Sequence, residues 1–216
     1  MKPDSLLNAA KKMATTLEMP RPSMQKTYRA LQEKDEFLTS WLPKSQGRQI
    51  WFAHPNFAVR LLLAVGFSGG KLNAHQANYL GYALTENGRK LHLNERPSLE
   101  GTEFLSILAA HFVDPAKAAA IHEIEFDSGN KTVSIRYRNE PDQVFQPSGS
   151  HEFGLGDDLF ENGIAAAMDA DTSSPINSKL SISGKAIQEI AETVNWRNQS
   201  NPPFSLNAKS DLGETD

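Results

Sequence analysis

At 216 residues and 23.8 kDa the chain is long enough for one large domain or two small ones, each with its own core. It has no cysteine, which excludes disulfides, thiolate metal sites and cysteine nucleophiles. The net charge of -4 hides an uneven layout: residues 1–60 hold ten Lys or Arg against five Asp or Glu, whereas residues 140–216 hold four against thirteen.

In chain order, the first helix is predicted to begin at Asp4 or Ser5 and to bury Leu6, Ala10, Met13, Ala14 and Leu17, with Lys11 and Lys12 pointing away. A proline-punctuated turn follows at Met19 to Pro22. Ser23 is expected to cap a second helix whose inner face is Met24, Thr27, Ala30 and Leu31, leaving Gln25, Lys26, Arg29 and Glu33 outward. Tyr28 sits at the border and is unassigned. Trp41, Leu42 and Gln49 to Phe52 can then form two short strands around Pro43-Lys44-Ser45-Gln46-Gly47-Arg48, a loop tipped by two cations and a glycine.

The segment Ala14–Phe52 resembles a winged helix-turn-helix of bacterial and phage regulators. The resemblance is carried by Ala14, Leu17, Pro22, Ser23, Thr27, Arg29, Ala30 and Leu31, with Lys44, Gly47 and Arg48 in the wing. With the leucine-rich helix Phe57 to Val65 after it, the order is similar to prophage-type regulatory proteins of alphaproteobacteria. One departure is Glu18, which stands where such turns often place glycine. The resemblance implies a DNA-binding face made of Arg21 from the turn, Ser23, Gln25, Lys26 and Arg29 from the second helix, and Lys44 and Arg48 from the wing. There, Arg and Lys would meet phosphates or guanine edges and Gln25 an adenine.

After the wing, His54-Pro55 signals a helix start, with His54 as a cap or hinge. Gly66-Phe67-Ser68-Gly69-Gly70-Lys71 lacks the spacing of a phosphate loop and reads as a connection. A helix is expected from Asn73 to about Thr85, stopped by Asn87-Gly88, and residues 89–98 read as a linker. A further helix covers Ser98 to Phe112, with one short turn at Ala116 to Ala120.

Ile121–Phe126 and Lys131–Arg138 alternate at period two around Asp127-Ser128-Gly129-Asn130, which predicts a hairpin. Its inner face is Ile124, Phe126, Val133, Ile135 and Tyr137; Glu123, Glu125, Arg136 and Arg138 share the outer one. Gln143 to Gln146 offers a third strand, Leu159 to Met168 a short helix, Leu180 to Ser183 a strand, and Gly184 to Val194 a last helix capped by Ser183. Asp157, Asp158 and Glu161 lack the ligand pattern of a calcium loop and read as a solvated acidic turn. The six histidines stand singly, without metal spacing.

The expected fold is therefore α+β and mostly helical: an N-terminal winged helix-turn-helix, then helices and a small antiparallel β region. The expected division is a DNA-binding region at 1–92, an oligomerisation or partner domain at 98–196, and a disordered tail at 197–216. The expected function is a sequence-specific regulator of transcription on double-stranded DNA, of phage or prophage origin. It would be a homodimer or higher homo-oligomer without enzymatic activity, cofactor or metal, and its acidic C-terminal half would offer a surface to a protein partner. The alternatives are a small-terminase-like DNA-recognition subunit of phage packaging or replication, and a protein-interaction module with no DNA role. The longest apolar run, Leu61 to Val65, cannot span a bilayer, and the chain is expected to be cytoplasmic.

Overall fold

The N-terminal segment, one middle segment and the last described residues are laced together by backbone hydrogen bonds. Asp4 N–H donates to Asn195 O, Leu6 N–H to Trp51 O, Ala53 N–H to Asp4 O and Arg197 N–H to Ala53 O, all within 2.8–2.9 Å. The computed structural model describes residues 3–44, 51–68, 72–90, 103–148, 158–170 and 179–197. Asp4 closes the lacing: its carboxylate accepts from Lys12 Nζ (2.7 Å), Asn8 Nδ2 (2.6 Å) and Asn195 N (2.9 Å). Burial acts to raise its pKa, but these donors and the Lys12 charge outweigh it and hold the carboxyl below its ordinary value.

The fold is α+β, with helices α1 (Leu6–Thr16), α2 (Arg21–Gln32), α3 (Pro55–Gly66), α4 (Ala74–Ala83), α5 (Glu103–Val113), α6 (Pro115–Ala120), α7 (Asp158–Asp169) and α8 (Gly184–Thr193). Strands β1 (Leu84–Glu86), β2 (Ile121–Asp127), β3 (Thr132–Tyr137), β4 (Gln143–Pro147) and β5 (Lys179–Ser183) form one antiparallel sheet in the order β1-β4-β3-β2-β5.

The central element is α3, in which every residue but Asn56 is buried. An apolar helix without a polar face has to lie inside, and Phe57 to Val65 offers none. His54 caps it, Nδ1 accepting from Asn56 N–H at 3.3 Å. Burial, reinforced by the charge of Arg197, lowers the His54 pKa to about 4, so the ring is neutral at pH 7. At the other end the Phe67 ring meets Phe126 of the sheet edge-on at 5.4 Å, while Phe104 of α5 lies 4.9 Å from Phe145 of β4. Buried side chains from α1 through α8 belong to one continuous hydrophobic cluster, drawn both from residues before 92 and from residues after 98.

The hairpin has the expected strands. Ile124 faces Ile135, Phe126 faces Val133, and one bulge lies between Ile121 and Glu123. Its turn is tied by Asp127, which accepts from both the backbone and side-chain N–H of Asn130. The outer face is a charge ladder: Arg136 pairs with Glu123 (2.8 Å) and Glu125 (3.4 Å), and Lys179 with Glu125 (2.9 Å) and Asp127 (3.5 Å). Arg138 is not in that ladder, because its Nε donates to Ala119 O at 3.1 Å.

Three expectations are corrected. The helix opened by Asn73, with a full capping box to Gln76, ends at Ala83; Leu84–Glu86 then pairs with β4 as a strand, and Asn87 and Gly88 turn the chain with positive φ. The second helix starts two residues before Ser23, with Pro20 as N-cap and Pro22 in the first turn. Proline's fixed φ and missing N–H suit that position, so no side-chain cap is needed. Trp41 and Leu42 are not a strand: both donate their N–H to Leu31 O at 2.9 Å and both are buried. Phe52 makes its bridge to Ser5.

Ser45–Ile50, which contain most of the expected wing, lie outside the described residues. So do residues 91–98 of the expected linker and 198–216 of the expected tail. Residue Arg197 is described and bonded to Ala53.

Candidate nucleic-acid interface

The geometry of the helix pair is set by how α1 ends. Ser5 caps its start, accepting from Asn8 N–H at 3.2 Å, and Leu6, Ala9, Ala10, Met13 and Ala14 form its buried stripe. At the C-terminus Met19 N–H reaches Ala14 O (2.9 Å) and Glu18 N–H reaches Thr15 O (3.2 Å). That is the Schellman pairing, and it requires a left-handed residue at Glu18, whose φ is +52°. A non-glycine residue there costs about 1–2 kcal/mol, which the two capped carbonyls and the packing of Met19 offset.

From Pro20 the chain re-enters helix directly, and α2 buries Met24, Tyr28 and Leu31. Tyr28 is thus an inner-face residue, with Thr27 and Ala30 half-buried beside it. Burial pushes the Tyr28 phenol pKa up, and its hydroxyl lies 3.3 Å from Gln32 Nε2.

Arg21, Ser23, Gln25, Lys26 and Arg29 are all exposed. Among the described residues Arg21, Lys26 and Arg29 form no ion pair, and the first turn of α2 holds no acid. Arg21 sits at the positive end of the helix dipole, and Lys26 and Arg29 are like charges three apart; each arrangement costs a few tenths of a kcal/mol in an isolated helix. A helix selected only for stability would place acids there. Lys44 is also exposed, but its Nζ pairs with Glu33 at 2.7 Å. Arg48 lies outside the described residues.

Arg21, Gln25 and Arg29 recur every four residues and form one ridge along the α1–α2 seam. Two hollows follow that seam. One, of about 140 Å³, is bordered by Lys11, Arg21 and Gln25 over a floor of Leu7, Ala10, Ala14, Met24 and Tyr28. The other, of about 280 Å³, is bordered by Gln25, Arg29, Gln32 and Lys44 and shares Leu7 and Tyr28 with the first. The structure thus gathers Arg21, Gln25, Arg29 and Lys44 on one seam; Ser23 and Lys26 line neither hollow. Lys11 joins the set, and Leu7, outside the predicted buried stripe of the first helix, is 40% exposed.

Elsewhere, His111 and Asp35 are held by local hydrogen bonds. His111 is buried in α5 with Nδ1 2.7 Å from Ile107 O, and burial lowers its pKa. Asp35 accepts from Phe37 and Thr39 N–H in a tight turn, with its second oxygen 3.6 Å from His75 Nδ1. Among the described residues no three His, Asp or Glu side chains are grouped to hold a metal, and no helix is long and apolar enough to cross a membrane. Compared with protein-family models, curated proteins and solved structures, the chain matches none.

Proposed function

We propose that the chain is a regulator of transcription that binds double-stranded DNA through the α1–α2 face. The observation that carries this reading is the row of exposed, unpaired cations on α2, Arg21, Lys26 and Arg29, with Gln25 between them and no acid in its first turn. Phosphate binding needs local positive charge and not a basic protein, so the net charge of -4 is no obstacle. In this reading α2 enters the major groove, with Gln25 toward base edges, while Lys11, Arg21, Lys26, Arg29 and Lys44 hold phosphates. Two copies would read two half-sites, which motivates a homodimer. The reading belongs to a regulator, of phage or prophage origin, working in the cytoplasm.

Selection from a randomised duplex pool by the full chain, with unspecific competitor present, tests the reading. Enrichment of one motif supports it, and recovery of unselected sequence at every round refutes sequence-specific recognition. A light-scattering mass of a single chain at micromolar concentration removes the dimer, and a mass of a many-membered ring favours the packaging-subunit alternative.

A further inference from the structure

DNA does not account for the floor of the α1–α2 seam. Phosphates and base edges are polar, yet between Lys11 of α1 and the α2 ridge of Arg21 and Arg29 lies a trough with an apolar floor of Leu7 and Tyr28. Leu7 is one of the three large hydrophobic side chains left exposed among the described residues, at 40%. The two hollows share Leu7, Gln25 and Tyr28 and so adjoin beside α2, whose lining stretch from Arg21 to Gln32 spans about 17 Å at 1.5 Å per residue. No Asp or Glu lines them.

An apolar floor between cationic rims is complementary to a helix with apolar residues on one face and carboxylates on the flanks. We propose that this trough docks an acidic amphipathic helix of a partner protein, about three turns long, whose leucine-like side chains rest on Leu7 and Tyr28 while its acids pair with Lys11, Arg21 and Arg29. The docking stands on the geometry of the trough. Its regulatory meaning, that the partner covers the cations that otherwise face DNA, rests on the function proposed above.

The test uses the full chain and a fluorescein-labelled peptide of about fourteen residues with Leu at i, i+3, i+4 and i+7 and Glu on the flanks. Two control peptides replace Glu by Lys, or Leu by Ser. The acidic amphipathic peptide should bind at least about tenfold more tightly than either control, and Leu7→Gln and Arg29→Gln should each weaken it about tenfold. Leu7→Gln changes a partly exposed side chain without changing charge, so it should leave the affinity for duplex DNA within about threefold. Equal binding of the acidic peptide and the Ser control would show attraction by charge alone and overturn the proposal. So would no binding, or unchanged binding by Leu7→Gln. Peptide binding without any DNA binding would uphold the docking site and refute the DNA reading; DNA binding without peptide binding would do the reverse.

Discussion

Trp41 is where the winged-helix expectation and the structure diverge most sharply, and replacing it by alanine separates them. As a wing-strand residue it would stand at the surface, and its loss would shift stability by no more than about 0.5 kcal/mol. In the structure it is 2% exposed and lies at the centre of a ring cluster, 4.7 Å from Tyr79, 5.8 Å from Tyr82 and 5.6 Å from Phe160. The buried guanidinium of Arg60 lies 4.7 Å above its ring. Truncating a buried tryptophan costs about 3–5 kcal/mol, and a desolvated cation–π contact about 2 more. Trp41→Ala should therefore lose about 5 kcal/mol, a large share of the ~5–15 kcal/mol that holds a typical domain folded. With a urea slope of about 2–3 kcal/mol/M, the midpoint followed by circular dichroism should fall by about 2 M. A loss under about 1 kcal/mol would refute the placement of Trp41 in the core and restore the wing strand.

Other substitutions probe the remaining joints. His54 is held neutral with a pKa of about 4 against an ordinary 6.5, so the native state binds fewer protons than the unfolded one. The contribution of this residue is complete above pH 6.5, and up to about 3 kcal/mol is lost as pH falls to about 4. His54→Asn, which keeps an N-cap, should flatten that limb of a denaturation series; an unchanged slope would contradict the burial argument. Glu18→Gly should stabilise the protein by about 0.5–1 kcal/mol in the same assay, because glycine adopts the positive φ without strain, and a loss instead would mean that α1 does not end in a left-handed residue. Gly184→Ala would drive its Cβ into the Ile121 carbonyl oxygen, so it should destabilise by about 3 kcal/mol, and a neutral result would displace α8 from β2.

What the sequence made legible were the features that act locally. Ser5, Asn73 and Ser183 cap helices because a short polar side chain next to an apolar period has one favourable local use. The hairpin was readable because period two on both sides of Asp127–Asn130 fixes register and face together. Long-range partners were not readable. Leu84–Glu86 continues a helical pattern and becomes a strand because β4, some sixty residues onward, supplies its hydrogen bonds. Trp41 and Leu42 have the aromatic and apolar character of a strand, but the carbonyl of Leu31 captures both N–H groups and both side chains lie in the core. In the candidate interface the outward set Gln25, Lys26 and Arg29 followed from helical spacing, whereas Arg21 as a helical residue, Tyr28 as a floor residue and Leu7 as its neighbour depend on how α1 ends and how closely it approaches α2.

The central claim, that the cations of the α1–α2 face bind DNA phosphates, is tested most directly by the salt dependence of duplex binding for the native chain and for the triple variant Arg21→Ala, Lys26→Ala, Arg29→Ala. Four to five phosphate contacts per protomer predict a log–log slope of about −3.6 to −4.5, or about 150- to 500-fold weaker binding between 50 and 200 mM salt. The variant should bind with a slope shallower by about 2.7 and unfold within about 0.5 kcal/mol of the native chain, since all three side chains are exposed and unpaired. An unchanged slope in a folded variant, or no binding of either protein at low salt, would contradict the account.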